Sequence, residues 1–349
     1  MFSFCRFFRA LSIQPSAFSY KKLHICIMIL ITGATGFLGA ELAKLLITTG
    51  NHVRCTKRAS SVIPALLAPF AESIEWVDAD MMDIFALADA LDGVTQVYHC
   101  AAWVSLKQAD KKKMINTNVT GTANLVNLCI ERGIRMVHVS SIAAIGSAKP
   151  GELITENHHL EQSTENDGYA ISKLESEMEV WRGIAEGLDA VIVNPALIIG
   201  ASAGTEGSGA LFKTVRNGLK FYTSGGIGFV DVEDVAKSMV ALMNSDITAQ
   251  RYIISAENRD YKGMVTEIAD GFGVKRPSVF AKPWVMELAW RGAAAIAAIT
   301  GGVPAIDKVS AQTASLTREF DNSKIKKAIG IEFKPISKTI TEICAALKQ

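Results

Sequence analysis

The sequence predicts a protein of the α/β class, in which helices cover both faces of a parallel sheet. Apolar runs of strand length alternate with helical patterns along most of the first two-thirds of the chain. The first apolar run breaks into a glycine-rich turn that leads directly into a helical pattern. The chain of 349 residues is also longer than one typical domain of about 150 residues. We therefore predict a Rossmann-type doubly wound parallel sheet with a smaller, mostly helical C-terminal substrate lobe.

The composition is that of an ordinary globular protein and indicates small-molecule partners. Hydrophobic residues make up 49% of the chain, and 36 basic against 35 acidic residues leave a net charge of +1. A chain with this balance has no general field that attracts nucleic acid or anionic lipid. The six cysteines lie far apart, without a CxxC pair or histidines at metal-ligand spacing. We therefore expect reduced thiols, a cytoplasmic location and no metal site.

The first 27 residues are not expected to belong to the fold. They contain four cations and no acidic residue, with scattered Phe and Ser, a composition that also suits an organellar presequence. Met28 opens the first apolar run directly, which favours a disordered or non-native extension over a presequence. Both interpretations remain open on the sequence.

A glycine-rich turn follows the first predicted strand at residues 29–31. Gly33, Gly36 and Gly39 lie three residues apart in TGATGFLG, and the helical pattern AELAKLLITTG comes next. Glycines let the backbone turn tightly and approach a pyrophosphate, while the following helix offers free N–H groups and a partial positive charge to that anion. This turn, placed between a buried strand and an amphipathic helix, predicts a dinucleotide site.

The second predicted strand, residues 52–58, ends in two cations. Lys57 and Arg58 stand where sites that prefer NAD carry an acidic residue for the ribose 2′-hydroxyl. Two cations with no nearby carboxylate suit a 2′-phosphate. The sequence therefore favours NADP(H) as cofactor and leaves NAD(H) as the alternative, in which these cations only decorate the end of a strand at the surface.

Four further strands are predicted at 74–77, 94–100, 136–139 and 190–193. Helical patterns separate them, so the strands should run parallel. Ligands of such sheets lie beyond the carboxyl ends of the strands. The candidate site residues are therefore those that follow each run, namely 78–83, 101–103, Ser140, Ser141, Asn194 and Pro195.

A phenol and an ammonium group stand four residues apart in YAISK. On a helix this spacing places Tyr169 and Lys173 on one face. The pKa of a tyrosine is about 10, and a neighbouring cation lowers it by favouring the phenolate, which makes the pair a usable acid/base couple. Ser141, at the end of another predicted strand, would complete the group by hydrogen-bonding a substrate oxygen. By itself, the spacing also occurs by chance on solvated helix faces.

Eight segments of the chain together resemble the extended short-chain dehydrogenases/reductases, in the NAD-dependent epimerase/dehydratase group. Within that group the sequence is most similar to the dihydroflavonol reductase-like branch. The segments occur in the family's order and cover roughly residues 28–236, whereas the chain after about residue 258 contributes little. They are TGATGFLG at 32–39, DADMMD at 78–83, VYHCAA at 97–102, NTNVTGTANLV at 116–126, VHVSSIAAIG at 137–146, YAISK at 169–173, VNPALIIG at 193–200 and GFVDVEDVA at 228–236.

The resemblance gives these segments catalytic and cofactor-binding roles. Ser141, Tyr169 and Lys173 match the catalytic trio, and Ser141 is preferred to Ser140 because of its distance from Gly146. The cofactor-binding positions are Gly33, Gly36, Phe37, Leu38 and Gly39 at the pyrophosphate, Lys57 and Arg58 at the 2′-phosphate, Asp80 and Met81 at the adenine, Ala101 and Ala102 along the channel, Asn118 for the cofactor and local backbone, Tyr169 and Lys173 at the reacting end, and Pro195 and Ile198 near the nicotinamide.

The activity that the resemblance implies is reduction of a small ketone or aldehyde by NADP(H), with hydride transfer to the carbonyl carbon. Tyr169 would donate a proton to the oxygen, Lys173 would lower the tyrosine pKa and bind the nicotinamide ribose, and Ser141 would polarise the carbonyl. One alternative is a nucleotide-sugar epimerase or dehydratase with tightly bound NAD, and the basic end of the second strand argues against it. A second is a catalytically idle dinucleotide-binding regulator, and the complete trio argues against that.

The predicted domain boundaries follow from these assignments. Residues 28–200 should form the dinucleotide-binding domain, with 229–258 returning to it, while 201–228 and 259–349 should form the substrate-binding lobe. An apolar, Ala-rich stretch at 284–299 carries Glu287 and Arg291 four residues apart, a favourable pair on a soluble helix, so we expect no membrane span. The expected partner is a small carbonyl or alcohol substrate, with a homodimer left open, and neither nucleic acid nor membrane is expected.

Overall fold

The structure is a computed structural model that describes residues 27–105, 108–149, 151–160, 168–300, 311 and 314–348. The predicted N-terminal extension therefore lies outside the described residues, apart from Ile27. Ile27 is exposed, and the first strand begins at the next residue.

A seven-stranded parallel sheet forms the centre of the fold and confirms the predicted class. Its strands are β1 (Met28–Thr32), β2 (His52–Lys57), β3 (Ile74–Asp78), β4 (Val94–His99), β5 (Arg135–Val139), β6 (Ala190–Pro195) and β10 (Gln250–Ile254). Their spatial order is β10-β6-β5-β4-β1-β2-β3, and every neighbouring pair is parallel. The winding direction reverses between β1 and β4. In sheets of this kind ligands bind in the crevice at the carboxyl ends of the two strands beside such a reversal.

Helices cover both faces of this sheet, which is why its strands read as continuous apolar runs. In β1, Ile29 and Ile31 pack toward one face and Leu30 toward the other, and each is at most 2% exposed. The first face carries α1 (Phe37–Thr48), α6 (Val232–Met243) and α9 (Ser323–Ile329), and the second carries α2 (Ile84–Ala90), α3 (Lys111–Arg132) and α4 (Gly168–Ala185).

A second core belongs to the smaller lobe. It encloses Phe212, Phe229, Ile268 and Ile340, which are all at most 1% exposed. A three-stranded sheet that the sequence analysis did not predict supports this core, with β9 parallel to β7 and antiparallel to β11. The elements of the lobe are β7 (Leu197–Ile199), α5 (Gly209–Arg216), β8 (Phe221–Tyr222), β9 (Gly226–Asp231), β11 (Glu257–Asp260), α7 (Tyr261–Phe272), β12 (Val279–Phe280) and α10 (Ile336–Lys348).

The chain returns to the large sheet twice after the lobe begins. The first return is α6 followed by β10. The second is α9, which lies in the segment predicted for the lobe, yet Ile325 is fully buried in the core of the large sheet. Lys324 Nζ donates to Arg251 O of β10 at 2.9 Å, which fixes α9 to this edge strand.

The apolar stretch near residue 290 forms α8 (Pro283–Thr300). The Arg291 Nη2 donates to Glu287 Oε1 at 2.7 Å, the i,i+4 pair that the spacing predicts. None of the helices within the described residues combines the length and the apolar character that crossing a bilayer requires.

Candidate functional site

The glycine turn after β1 is held by close backbone contacts. Gly33 has φ +73°, and a Cβ added there would lie 2.6 Å from Ala101 N, at the end of β4. A Cβ on Gly39 would lie 2.3 Å from Gly33 O, so the start of α1 packs directly on the turn. The Gly36 N–H donates to Gly33 O at 3.0 Å and closes it. The three glycines therefore bring the ends of β1, β4 and α1 to one place.

The N-terminus of α1 fits an anion. Gly36 is its N-cap, and among the described residues no side chain accepts from the first-turn N–H groups and no acidic residue lies in that turn. The free N–H groups and the helix dipole therefore favour a negatively charged group at this end. The residues present fit the pyrophosphate of a dinucleotide.

A cleft of about 280 Å³ begins at this turn, in the crevice that the sheet topology indicates. Nine predicted cofactor residues line it: Gly33, Gly36, Lys57, Arg58, Asp80, Met81, Ala101, Ala102 and Asn118. Phe37, Leu38 and Gly39 are not in this lining; Leu38 and Gly39 are buried in the first turn of α1. The predicted catalytic residues Ser141, Tyr169 and Lys173 are not in it either. Ala79 and Trp103, which lie in the predicted candidate ranges 78–83 and 101–103, also line the cleft. Residues to which the sequence analysis gave no role complete the wall: Thr35, Thr56, Ser61, His99, Cys100, Val104, Thr117, Gly121 and Thr122.

The end of β2 differs from the sequence prediction in one respect. The prediction that no carboxylate lies near the two cations is wrong, because Lys57 Nζ forms an ion pair with Asp78 Oδ1. The register of β2 and β3 places these residues side by side. Arg58 is exposed and has no ion pair within the described residues, and its N–H donates to Ser61 Oγ at 3.3 Å. Arg58 is therefore the cation that remains available to a ligand at this end of the cleft.

A tight turn after β3 presents Asp80 and Met81 to the cleft. Asp80 Oδ1 accepts from the Met82 N–H at 2.9 Å, and Asn124 Nδ2 on α3 donates to Met81 O at 3.0 Å. Gly121 lets α3 approach, since a Cβ there would lie 2.8 Å from Met81 Cβ. The turn is thus fixed both by its own aspartate and by α3.

Asn118 holds the backbone that follows β4. Its Oδ1 accepts from the Trp103 N–H at 2.7 Å, and its Nδ2 donates to Trp103 O at 2.9 Å. Nδ2 also lies 3.3 Å from Ser172 Oγ on α4. The buried amide therefore joins the cleft wall to the helix that carries Tyr169 and Lys173.

The two serines after β5 have different surroundings. Ser140 is 3% exposed, and its Oγ donates to Glu177 Oε2 at 2.6 Å. Ser141 Oγ accepts from the Ala143 N–H at 3.1 Å, as the N-cap of a short 3₁₀ helix. That bond uses the Ser141 oxygen as an acceptor and leaves its O–H proton as a donor. The Ser140 proton is already donated to Glu177, and the role of Ser141 toward a substrate oxygen stays a prediction.

Tyr169 and Lys173 lie on the first turns of α4, as their spacing predicts. Lys173 is 6% exposed, and its Nζ donates to Val139 O at 2.9 Å, at the end of β5. Burial lowers the pKa of Lys173 to about 8, although Cys100 and Glu177 oppose the shift. The ammonium group is therefore fixed to Val139, which precedes Ser141 by two residues in the chain, and Lys173 follows Tyr169 by one turn of α4.

Pro195 and Ile198 lie outside the lining of the cleft. Pro195 ends β6 and is buried, and Ile198 is half-buried in β7. They are thus at the carboxyl end of β6, on the side of the sheet from which the small lobe begins.

His99 is a cleft residue that the sequence analysis passed over, although it stands in the quoted segment VYHCAA. Its Nδ1 is 2.7 Å from Thr32 Oγ1 and its Nε2 is 3.0 Å from Thr122 Oγ1. Burial, with a smaller contribution from Lys173, lowers the pKa of His99 to about 3. His99 is therefore a neutral hydrogen-bonding link between β1 and α3.

Comparison with known proteins agrees with this geometry. The chain matches the NAD dependent epimerase/dehydratase family over residues 29–255. It is 31% identical to sterol demethylase protein B of Methylococcus capsulatus, over 74% of this chain and 78% of that protein, and 26% identical to cinnamoyl-CoA reductase 1 of Petunia hybrida, over 92% of each. The crystal structure of gox2253 superposes with a TM-score of 0.79 and 28% identity, covering 92% of this chain and 98% of the other.

The match to this family and the glycine cradle together support an NAD(P)-dependent activity of the reductase or epimerase type. The relatives include reductases, which confirms the predicted similarity to the dihydroflavonol reductase-like branch. The chain belongs to the NAD dependent epimerase/dehydratase family, within the extended short-chain dehydrogenases/reductases.

Proposed function

We propose that the protein is an NADP(H)-dependent reductase of a small ketone or aldehyde, with Ser141, Tyr169 and Lys173 as its catalytic residues. The observation that carries this proposal is the placement of Lys173. Its ammonium is buried and donates a hydrogen bond to Val139 O at 2.9 Å, which fixes its position. It is bonded to the last residue of β5, two residues before Ser141 in the chain, and Lys173 follows Tyr169 by one turn of α4.

The chain's own residues would hold and move one proton. A bound dinucleotide supplies the hydride that reduces the carbonyl carbon. Tyr169 donates its phenolic proton to the carbonyl oxygen, and the Lys173 ammonium favours the phenolate that this donation leaves. The Ser141 hydroxyl donates a hydrogen bond to the same oxygen as negative charge develops there. His99 has no role in the proposed transfer, because both of its ring nitrogens are hydrogen-bonded to Thr32 and Thr122.

The proposed preference for NADP(H) rests on Arg58. Arg58 lines the cleft where the adenosine ribose would lie, and its guanidinium forms no ion pair in the described part of the chain. Such a group suits a 2′-phosphate. Lys57 contributes less than the sequence suggests, because Asp78 already pairs with it.

The Asp78 carboxylate supports a second candidate. It stands beside the end of β2, where an acidic group can accept from the 2′-hydroxyl of NAD. A site of that kind would suit an epimerase or dehydratase that keeps its NAD and catalyses no net oxidation or reduction.

A single panel separates these two functions. The purified protein would be mixed with ketones and aldehydes, and loss of NADPH absorbance would be followed, with NADH in parallel. The reductase predicts steady NADPH consumption with at least one carbonyl compound and slower consumption of NADH. NAD that copurifies with the protein, together with no net consumption on the whole panel, would favour the epimerase or dehydratase and overturn the proposal.

A further inference from the structure

A buried carboxylate lies on the helix that carries Tyr169 and Lys173. Glu177 follows Lys173 by one turn of α4 and is 1% exposed. Its two oxygens accept four hydrogen bonds, which satisfies the charge without solvent. Oε1 accepts from Arg251 Nη1 (2.9 Å) and Trp181 Nε1 (3.2 Å), and Oε2 accepts from Ser140 Oγ (2.6 Å) and Asn194 Nδ2 (2.8 Å).

Asn194 connects this carboxylate to the main chain of the candidate serine. The Asn194 Nδ2 group donates both to Glu177 Oε2 and to Ser141 O, at 2.8 and 3.0 Å. Ser140, which precedes Ser141, donates to the same carboxylate oxygen. Glu177 therefore fixes Ser141 in two ways: through Ser140, the residue before it, and through Asn194, which holds the Ser141 carbonyl.

Arg251 on β10 balances the Glu177 charge and extends the network. It is 8% exposed, and its Nε and Nη2 donate to Glu156 O at 2.9 and 2.5 Å. Nη2 also donates to His158 O at 2.9 Å. The Glu177–Arg251 pair thus spans from β10 to α4, and each charge depends on the other because both are buried.

Glu177 also acts on Lys173 through its charge. Burial lowers the pKa of Lys173 to about 8, and Glu177 is one of two groups that oppose this fall. Because the Glu177 charge raises the pKa of Lys173, removing that charge would let burial lower the pKa further. The titratable or charged groups near this pair are Tyr169 on α4, His99 and Cys100 at the end of β4, His138 on β5, Arg251 on β10, and Glu156 before α4.

We propose that Glu177 is a positioning residue for the reduction: through Ser140 and Asn194 it orients Ser141, and its carboxylate is the counter-charge one turn of α4 after Lys173. The inference rests on the proposed function of Ser141, Tyr169 and Lys173. Each oxygen of Glu177 already accepts two hydrogen bonds from the protein, so Glu177 acts through these neighbours and not by contact with the substrate.

The first test compares Glu177→Gln with Glu179→Gln. Glu179 lies on the same helix and forms a partly exposed pair with Arg182, so the control makes the same chemical change away from the network. For Glu177→Gln we expect kcat to fall about tenfold or more with little change in the KM for NADPH, and the alkaline limb of the kcat profile to move down by about 1 pH unit. Glu179→Gln should change neither. If Glu177→Gln keeps the wild-type kcat, or has a lower kcat with an unmoved alkaline limb, the proposal that Glu177 acts on both Ser141 and Lys173 is overturned.

A second variant avoids leaving a lone buried charge. Asn194→Ala removes the bridging amide and keeps the ion pair, so it should lower kcat about fivefold or more with the alkaline limb unmoved. Wild-type kcat in this variant would overturn the positioning of Ser141 through Asn194.

A measurement without turnover separates this inference from the proposed function. NMR of the protein labelled at lysine ¹³Cε, with the Lys173 signal assigned from Lys173→Met, reports the titration directly. The midpoint should lie near pH 8 in the wild type and lower in Glu177→Gln. Failure of the wild type to reduce any carbonyl would defeat the proposed function alone. An unchanged midpoint in Glu177→Gln would overturn the charge effect whether or not turnover is found.

Discussion

Replacing Gly33 with alanine should reduce both stability and dinucleotide binding, because two separate costs meet at this residue. Its φ of +73° lies in the left-handed region, where an L side chain costs about 1–2 kcal/mol. The added Cβ would also lie 2.6 Å from Ala101 N and 2.7 Å from Ala101 Cα, so the ends of β1 and β4 would have to separate. Overpacking of this kind costs about 1–3 kcal/mol. We expect Gly33→Ala to lower the free energy of unfolding by about 2–5 kcal/mol.

Gly50 provides a matched control. It has φ +84°, and an added Cβ would meet nothing within 4 Å in the described part of the chain. Gly50→Ala therefore carries only the conformational cost of about 1–2 kcal/mol. Urea unfolding would give the two stabilities, and fluorescence titration would give the Kd for NADPH. We expect Gly33→Ala to be the less stable variant and to bind NADPH about tenfold or more weakly, because the displaced turn no longer fits the pyrophosphate.

The two variants also define the refuting result. Equal losses of stability in Gly33→Ala and Gly50→Ala, with the wild-type Kd for NADPH in both, would show that the close approach of the turn to Ala101 has no energetic role. The assignment of this turn to the pyrophosphate would then be wrong.

Three further predictions concern Arg58, Lys173 and the hydrogen bonds between Asn118 and Trp103. Arg58→Asp should raise the KM for NADPH about tenfold or more and shift the preference toward NADH, because a guanidinium that donates hydrogen bonds to the 2′-phosphate is replaced by a carboxylate that repels it. An unchanged ratio of kcat/KM for the two cofactors would contradict the role of Arg58. The kcat of the wild type should fall as pH rises through about 8, because that is where the buried Lys173 loses the proton that favours the phenolate; a profile that stays level to the ordinary lysine pKa of about 10.4 would contradict it. Asn118→Ala should weaken NADPH binding and increase hydrogen exchange at Trp103, because both hydrogen bonds from the Asn118 side chain to the Trp103 backbone are lost; wild-type exchange at Trp103 would show that these two hydrogen bonds do not hold this backbone.

Local chemistry explains which features could be predicted from the sequence. Gly33 follows β1 directly, and the turn, the strand and α1 are neighbours along the chain, so one short pattern describes all three. Tyr169 and Lys173 share a face of α4 because of helical geometry alone. Features of this kind depend on residues fewer than about ten positions apart.

Contacts between distant residues could not be predicted in the same way. Lys57 meets Asp78, 21 residues later, only because β2 and β3 pair in a particular register. Glu177 and Arg251 are 74 residues apart and meet because β10 adds to the edge of the sheet beside β6. The sheet of the small lobe was missed for a related reason: β7 has three residues, too few for a periodic pattern.

The most direct measurement is turnover of Tyr169→Phe with a carbonyl compound that the wild type reduces, made alongside its Kd for NADPH. Removing the phenolic oxygen takes away the proposed proton donor and leaves the glycine turn, Arg58 and Lys173 in place. We expect turnover to fall about hundredfold or more while the Kd for NADPH changes less than about threefold. Turnover within about tenfold of the wild type would contradict the assignment of Tyr169 as the acid and, with it, the proposed catalytic trio.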